Sequence, residues 1–111
     1  MTDDRRWVRI ARAQDVTADE PLAVAIQGKK LAVFMLEDGA VHVTSNVCTH
    51  EYALLTDGWY EAGEVECPLH AGRFDVRNGK AMCAPLTQDL ETYPVELRGD
   101  EIFVGLPPTS T

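Results

Sequence analysis

Residues 48–70 read CTHEYALLTDGWYEAGEVECPLH, and this stretch contains two short pairs of residues that are typical metal ligands. Cys48 and His50 form the first pair, Cys67 and His70 form the second, and sixteen residues separate the two pairs. With one or two residues between its members, each pair can direct both side chains into one site. Thiolate sulfur and imidazole nitrogen suit an iron–sulfur cluster and a zinc ion almost equally well. The four residues therefore predict a metal centre without deciding its metal.

The composition is that of a small globular protein. The chain has 111 residues, 45% of them hydrophobic and 25% charged, which predicts one domain. Three cysteines cannot all pair within the chain, and the sequence shows neither an export segment nor an apolar run of membrane-spanning length. We therefore expect a cytoplasmic protein with reduced thiols. The net charge of −8 argues against nucleic acid and membrane as partners.

Short runs that alternate between apolar and polar residues predict strands on either side of the metal-binding stretch. Leu22, Val24 and Ile26 alternate in this way, whereas residues 31–36 are apolar throughout and predict a central strand buried on both faces. The sequence Glu-Asp-Gly at residues 37–39 predicts a tight hairpin turn. The fold class predicted from this pattern is all-β.

The alternation stops after Asn46 and returns near the end of the chain. Within the irregular region we expect only short strands, at residues 64–67 and 73–76, and regular pairing then resumes at residues 93–98 and 101–104. The predicted organisation is a single domain. We expect residues 1–45 and 87–105 to form a β platform, residues 46–86 to form a metal-binding lobe inserted into it, and residues 106–111 to form a loose tail.

A longer set of motifs resembles the Rieske-type ferredoxin component of bacterial aromatic-ring-hydroxylating dioxygenase systems. The similarity extends through most of residues 44–105. It is carried by VCTHEYALL from residue 47, VECPLHAGRFD from residue 65, GKA from residue 79, AP from residue 84 and YPV from residue 93. The first 40 residues match only loosely.

The resemblance implies a fold, a cofactor and a ligand set. The fold would be the Rieske fold, an antiparallel β-sandwich platform with an inserted cluster-binding lobe, and the cofactor one Rieske-type [2Fe–2S] cluster. Cys48 and Cys67 would bind the inner iron, and His50 and His70 would bind the outer iron. A third loop at residues 84–86 would shield the cluster from water.

The function implied by the resemblance is that of a one-electron carrier and not of an enzyme. It would pass electrons from an NAD(P)H-dependent flavoprotein ferredoxin reductase to the terminal Rieske oxygenase of an aromatic-ring-hydroxylating dioxygenase. The chain has three histidines, so only His42 would remain for a mononuclear iron site, and an oxygenase is excluded. Two alternatives stay open: a Rieske-type electron-transfer subunit of another reductase or hydroxylase system, and a structural zinc-binding module. We expect Cys83 to be a small buried thiol, and His42 to be a strand residue that faces solvent or is hydrogen-bonded.

Overall fold

The computed structural model describes residues 6–49, 53–69, 72–82 and 88–106. This part of the chain contains eleven strands, which are β1 (Arg6–Arg12), β2 (Leu22–Ile26), β3 (Lys29–Met35), β4 (Val41–Ser45), β5 (Trp59–Glu61), β6 (Glu64–Glu66), β7 (Arg73–Asp75), β8 (Lys80–Ala81), β9 (Thr92–Tyr93), β10 (Val95–Arg98) and β11 (Glu101–Leu106). The only helical elements among these residues are two 3₁₀ turns, at Ala13–Asp15 and Leu55–Asp57. The all-β fold class is confirmed. None of the described residues belongs to a helix that could cross a membrane.

The strands form three antiparallel sheets. Their strand orders are β1-β11-β10 for the first sheet, β2-β3-β4-β9 for the second and β5-β6-β7-β8 for the third. The third sheet lies within residues 46–86, and all strands of the other two lie outside that range. The short turn between β2 and β3 holds both Gln27 and Gly28 at positive φ, 50° and 79°, as a two-residue hairpin loop requires.

Three details differ from the sequence prediction. Residues 93–98 were expected to form one strand, but the chain leaves the second sheet after β9 and enters the first sheet at β10. Pro94 separates the two strands, because proline lacks the N–H group that a continuous ladder would use. The third sheet also contains β5 and β8, which are too short to show alternation. Finally, β11 reaches Leu106, which is buried and lies one residue inside the predicted tail.

Strand β3 is buried on both faces, as the sequence predicts. Leu31 and Val33 point into a hydrophobic core shared with strands of the first sheet, including Ile102. Ala32 and Phe34 point the other way, into a second core shared with the third sheet. The four side chains from Leu31 to Phe34 are all fully buried. One strand therefore joins the two cores, with successive residues serving opposite sides.

We predict that Phe34→Ala lowers the free energy of unfolding by about 3–5 kcal/mol, because it leaves a cavity in the second core. The Phe34 ring lies 5.0 Å from the ring of Tyr60, centroid to centroid. The midpoint of thermal unfolding, followed by circular dichroism, should fall by more than about 10 °C. Leu97→Ala is the control, because Leu97 is exposed on β10 and should shift stability by no more than about 0.5 kcal/mol. Equal midpoints for the two variants would contradict the prediction.

Candidate metal centre

The first predicted ligand loop is a short hairpin that follows β4. Residues 46–48 run antiparallel to residues 53–56, with one bridge pair formed by Val47 and Leu54. The backbone N–H of Cys48 donates a hydrogen bond to the carbonyl oxygen of Ala53 at 2.9 Å. The Cys48 side chain is buried, with 4% of the residue exposed. Cys48 therefore lies where this hairpin meets the protein interior.

The second predicted ligand loop extends the regular β6–β7 hairpin. The backbone N–H of Cys67 donates to the carbonyl oxygen of Gly72 at 2.7 Å, so both loops are closed by a bond to the carbonyl five residues further along. Cys67 is 1% exposed. The two cysteines thus occupy equivalent positions in two loops of similar construction.

Both cysteines belong to the second hydrophobic core. The buried residues of that core are Ala32, Phe34, Cys48, Leu55, Val65, Cys67, Phe74, Val76 and Leu90. Neither Cys48 nor Cys67 takes part in a disulfide bond. Two thiols at matching loop positions in one dry core are a donor set that fits an iron–sulfur centre, because thiolates are the usual ligands of such clusters.

Several predicted site residues lie outside the described residues. These are His50 and His70, together with Cys83 and the expected shielding loop at residues 84–86. The structure therefore places the two cysteines, and the assignment of all four residues as cluster ligands stays a prediction.

Gly58 allows the two loop regions to approach each other closely. A Cβ atom at this position would overlap the carbonyl oxygen of Glu66, the residue before Cys67, and would lie 3.1 Å from the Cδ atom of Pro68. The backbone conformation of Gly58 is an ordinary extended one, so glycine is needed here for space and not for its dihedral freedom.

Side-chain hydrogen bonds that the sequence did not reveal connect the first loop to the rest of the protein. The hydroxyl of Thr49 donates to the carbonyl oxygen of Gln88 at 2.8 Å, across 39 residues of sequence. The carboxamide of Asn46, two residues before Cys48, makes two hydrogen bonds to Thr56. The end of the strand-like alternation at Asn46 was the only available sequence signal, and Asn residues are common in turns.

The chain exposes a large apolar side chain soon after the second cysteine. Leu69, two residues after Cys67, is 59% exposed, and Met82 is also exposed at the end of β8. Within a few residues the chain passes from the dry core to solvent. This places the predicted ligand loop at the boundary between the protein interior and its surface.

His42 is partly buried on β4, directly opposite Phe34 of β3. Burial lowers the pKa of its imidazole below the ordinary value of 6.5, because desolvation disfavours the charged form. The positive charge of Arg77 lowers this pKa further, while the carboxylates of Asp75 and Asp38 partly oppose the shift.

Comparison with known proteins defines the class of this chain. Residues 6–94 match the Rieske [2Fe-2S] domain family, and the chain belongs to that family. It is 43% identical over 101 residues to the ferredoxin component of the naphthalene 1,2-dioxygenase system of Pseudomonas putida, covering 91% of this chain and 96% of that relative.

Solved structures agree with this assignment. A ferredoxin of Sphingomonas yanoikuyae B1 superimposes with a TM-score of 0.87 at 36% identity, covering 92% of this chain and all of that one. A chain from the complex of reduced oxygenase and oxidized ferredoxin in carbazole 1,9a-dioxygenase gives a TM-score of 0.84 at 29% identity, covering 95% of this chain and 97% of that one.

The protein is thus a Rieske ferredoxin of the kind found in aromatic dioxygenase systems. It has the Rieske fold, carries one Rieske-type [2Fe–2S] cluster and is an electron-transfer component, not an enzyme. The cofactor prediction is confirmed, and the zinc-binding alternative is wrong. The sequence motifs had identified the family correctly.

We predict that His42 titrates below pH 6.5 in the folded protein, measured by NMR of its ring proton, and that Arg77→Gln raises this pKa by removing a nearby positive charge. In the pH range below 6.5 and above the lowered pKa, the unfolded state binds more protons at this residue than the folded state. Its contribution to stability is therefore fully present above pH 6.5 and falls as the pH decreases through that range.

The control for this prediction is His42→Gln, whose thermal unfolding midpoint should lack that part of the wild-type pH dependence. A folded-state pKa of 6.5 or higher for His42 would contradict the prediction.

Proposed function

We propose that this protein carries single electrons from an NAD(P)H-dependent flavoprotein ferredoxin reductase to the terminal Rieske oxygenase of an aromatic-ring-hydroxylating dioxygenase. The observation that carries the proposal is the pair of buried cysteines, Cys48 and Cys67, at equivalent positions of two loops in one core. The relative from the naphthalene dioxygenase system supports the pathway, and the solved oxygenase–ferredoxin complex of carbazole dioxygenase supports a direct encounter with an oxygenase.

The ligand set proposed for the cluster is Cys48 and Cys67 on the inner iron, with His50 and His70 on the outer iron. When bound, the cluster supplies the chemistry, which is the gain and loss of one electron. We assign residues 46–86 to a cluster-binding lobe, inserted into a platform made by residues 1–45 and 87–105. The third sheet, which lies wholly within the first of these ranges, supports that division.

The surrounding side chains would keep water away from the sulfur side of the centre. Leu55, Val65 and Phe74 are fully buried in the same core as the two cysteines. Closely packed apolar side chains move little, so they would limit the rearrangement that accompanies each change of charge. Burial also controls the local dielectric, which is one of the factors that set a cluster's potential.

A cytoplasmic location fits this chemistry. The buried thiols Cys48 and Cys67 are not linked by a disulfide bond, and iron-binding cysteines need a compartment that keeps them reduced. The family relationship is with ferredoxin components of catabolic dioxygenase systems, which also supports this location.

To test the ligand set, we predict that Cys48→Ala, His50→Ala, Cys67→Ala and His70→Ala each abolish binding of an intact [2Fe–2S] cluster. Loss of a ligand leaves an iron site incomplete, so the proteins should lack the visible absorbance and the EPR signal of the dithionite-reduced wild type. The chain offers matched controls in its remaining cysteine and histidine, and Cys83→Ala and His42→Gln should keep both signals. A wild-type EPR spectrum typical of all-cysteine ligation, or a His variant with an unchanged spectrum, would contradict the assignment.

Leu69 is well placed to take part in partner docking. It lies between Cys67 and the predicted ligand His70, and most of its side chain is exposed. Encounters of electron carriers with their partners are brief and bury less than about 1,200 Å² of surface in total. The net charge of −8 would further favour partners with basic docking faces, and the rate of association with such a partner would decrease with added salt.

We predict that Leu69→Ala slows electron transfer from the reductase by about three- to tenfold, because an apolar contact of about 1 kcal/mol is lost in the encounter complex. Stopped-flow absorbance at the cluster bands measures the rate. The matched control is Leu97→Ala, which removes an exposed leucine from β10 in a different sheet and should leave the rate unchanged. The visible spectrum must be unchanged in both variants, and equal rates for Leu69→Ala and the wild type would count against this docking surface.

A further inference from the structure

The two predicted ligand loops differ in the main-chain pairing that supports them. The second loop extends from β6 and β7, which pair at three consecutive positions and have β5 and β8 on either side. Among its described residues, the first loop has only the single bridge pair Val47–Leu54, which the main-chain hydrogen bonds Cys48–Ala53 and Leu55–Asn46 form. Main-chain pairing alone therefore restrains the first loop much less than the second.

The base of the first loop is completed by Asn46, which is almost fully buried. Its side-chain oxygen Oδ1 accepts a hydrogen bond from the backbone N–H of Thr56 at 2.9 Å, and its Nδ2 donates to Thr56 Oγ1 at 3.0 Å. Its own carbonyl oxygen accepts from the N–H of Leu55, and its N–H donates to the carbonyl oxygen of Lys30 on β3, both at 2.8 Å. Asn46 thus connects both arms of the loop to the central strand.

We propose that Asn46 is a positioning residue for the metal centre. The hydrogen bonds of its carboxamide to Thr56 hold the base of the first ligand loop where main-chain pairing ends. The proposal rests on the proposed function, in which Cys48 is a cluster ligand. One side chain thus pairs with both the main-chain N–H and the hydroxyl of Thr56. Because Asn46 is buried, opening the base of the loop would leave polar groups without partners away from water.

The position of Asn46 gives this arrangement its significance for the cluster. Only Val47 separates it from Cys48, and Thr56 lies three residues beyond Ala53, which closes the loop. A shift at the Asn46–Thr56 contact would therefore be transmitted along both arms to the sulfur donor. Thr49 restrains the loop from its other side through its bond to Gln88.

A merely structural buried Asn would lower the stability of the whole fold and nothing else. A positioning residue would also change how the cluster is held while the protein remains folded. Two measurements separate these roles: the rate at which the visible absorbance disappears in the presence of an iron chelator, well below the unfolding temperature, and the shape of the EPR spectrum of the reduced cluster.

The experiment compares Asn46→Ala, Thr56→Val and Thr56→Ser with a matched control, Thr44→Val. Thr44 is fully buried on β4, and its hydroxyl donates at 2.9 Å to the carbonyl oxygen of Ser45, so the control removes one hydroxyl close to Asn46 but outside the loop. All four variants are studied as purified proteins containing the cluster.

We expect Thr56→Val to release iron about three- to tenfold faster than the wild type, and Asn46→Ala at least about tenfold faster, as the loss of one and two partly buried hydrogen bonds implies. Both should alter the EPR spectrum. Thr56→Ser retains the hydroxyl and should behave as the wild type, and Thr44→Val should change neither the release rate nor the spectrum.

Release rates and EPR spectra of Asn46→Ala and Thr56→Val that match those of Thr44→Val would overturn the positioning role while leaving the electron-carrier function intact. A wild-type protein that holds no [2Fe–2S] cluster would overturn both. If Asn46→Ala does not fold, the comparison of Thr56→Val with Thr56→Ser decides the question, since these differ in the hydroxyl that Asn46 contacts.

Discussion

The structure depends on the burial of β3 on both of its faces. Alternate side chains of this strand enter two separate cores, and Phe34 contributes to the core that also contains the two buried cysteines. The first two sheets and the third sheet are therefore not joined merely by flexible connections. Packing at the centre of one sheet limits how far the region around Cys48 and Cys67 can move relative to the rest of the fold.

A second constraint arises from the different ways in which the two cysteines are supported. Cys67 directly follows a strand in a four-stranded sheet, so regular main-chain pairing determines its location. Cys48 follows the end of β4, where main-chain pairing is reduced to one bridge, and its location depends also on side-chain contacts made by Asn46 and Thr49. Two loops with the same hydrogen-bond closure thus obtain their rigidity from different sources. The first is the more sensitive of the two to single substitutions.

The sequence predicted the features that have a periodic or local signal. Continuous apolar character identified the two-sided strand β3, and the Gly-containing turn at residues 37–39 identified the hairpin between β3 and β4, because both depend on residues close together in the chain. The family motifs then identified the cofactor. The crossing between sheets at Pro94 was missed, because residues 93–98 show the same alternation whether they serve one sheet or two.

The pair of hydrogen bonds between Asn46 and Thr56 was also missed, for a different reason. Its partners are ten residues apart, and neither residue type has a strong preference for such a contact. A hydrogen bond between side chains leaves no period in the sequence, and its existence depends on how two arms of a loop are brought together by the fold. The same holds for the hydrogen bond that the Thr49 hydroxyl donates to the main-chain carbonyl oxygen of Gln88, 39 residues away.

An electron carrier has to keep its cluster ligands dry while leaving one side of the centre accessible to partners. The second loop meets both needs over a very short distance, since the chain passes from Cys67, which is 1% exposed, to Leu69, which is 59% exposed. The Cys67 thiol is buried in the core, and the next two residues, Pro68 and Leu69, are exposed. An apolar side chain at this boundary can exclude water from a brief encounter without making a long-lived complex. The net charge of −8 would add long-range attraction toward a partner with a basic docking face, which a small contact area alone lacks.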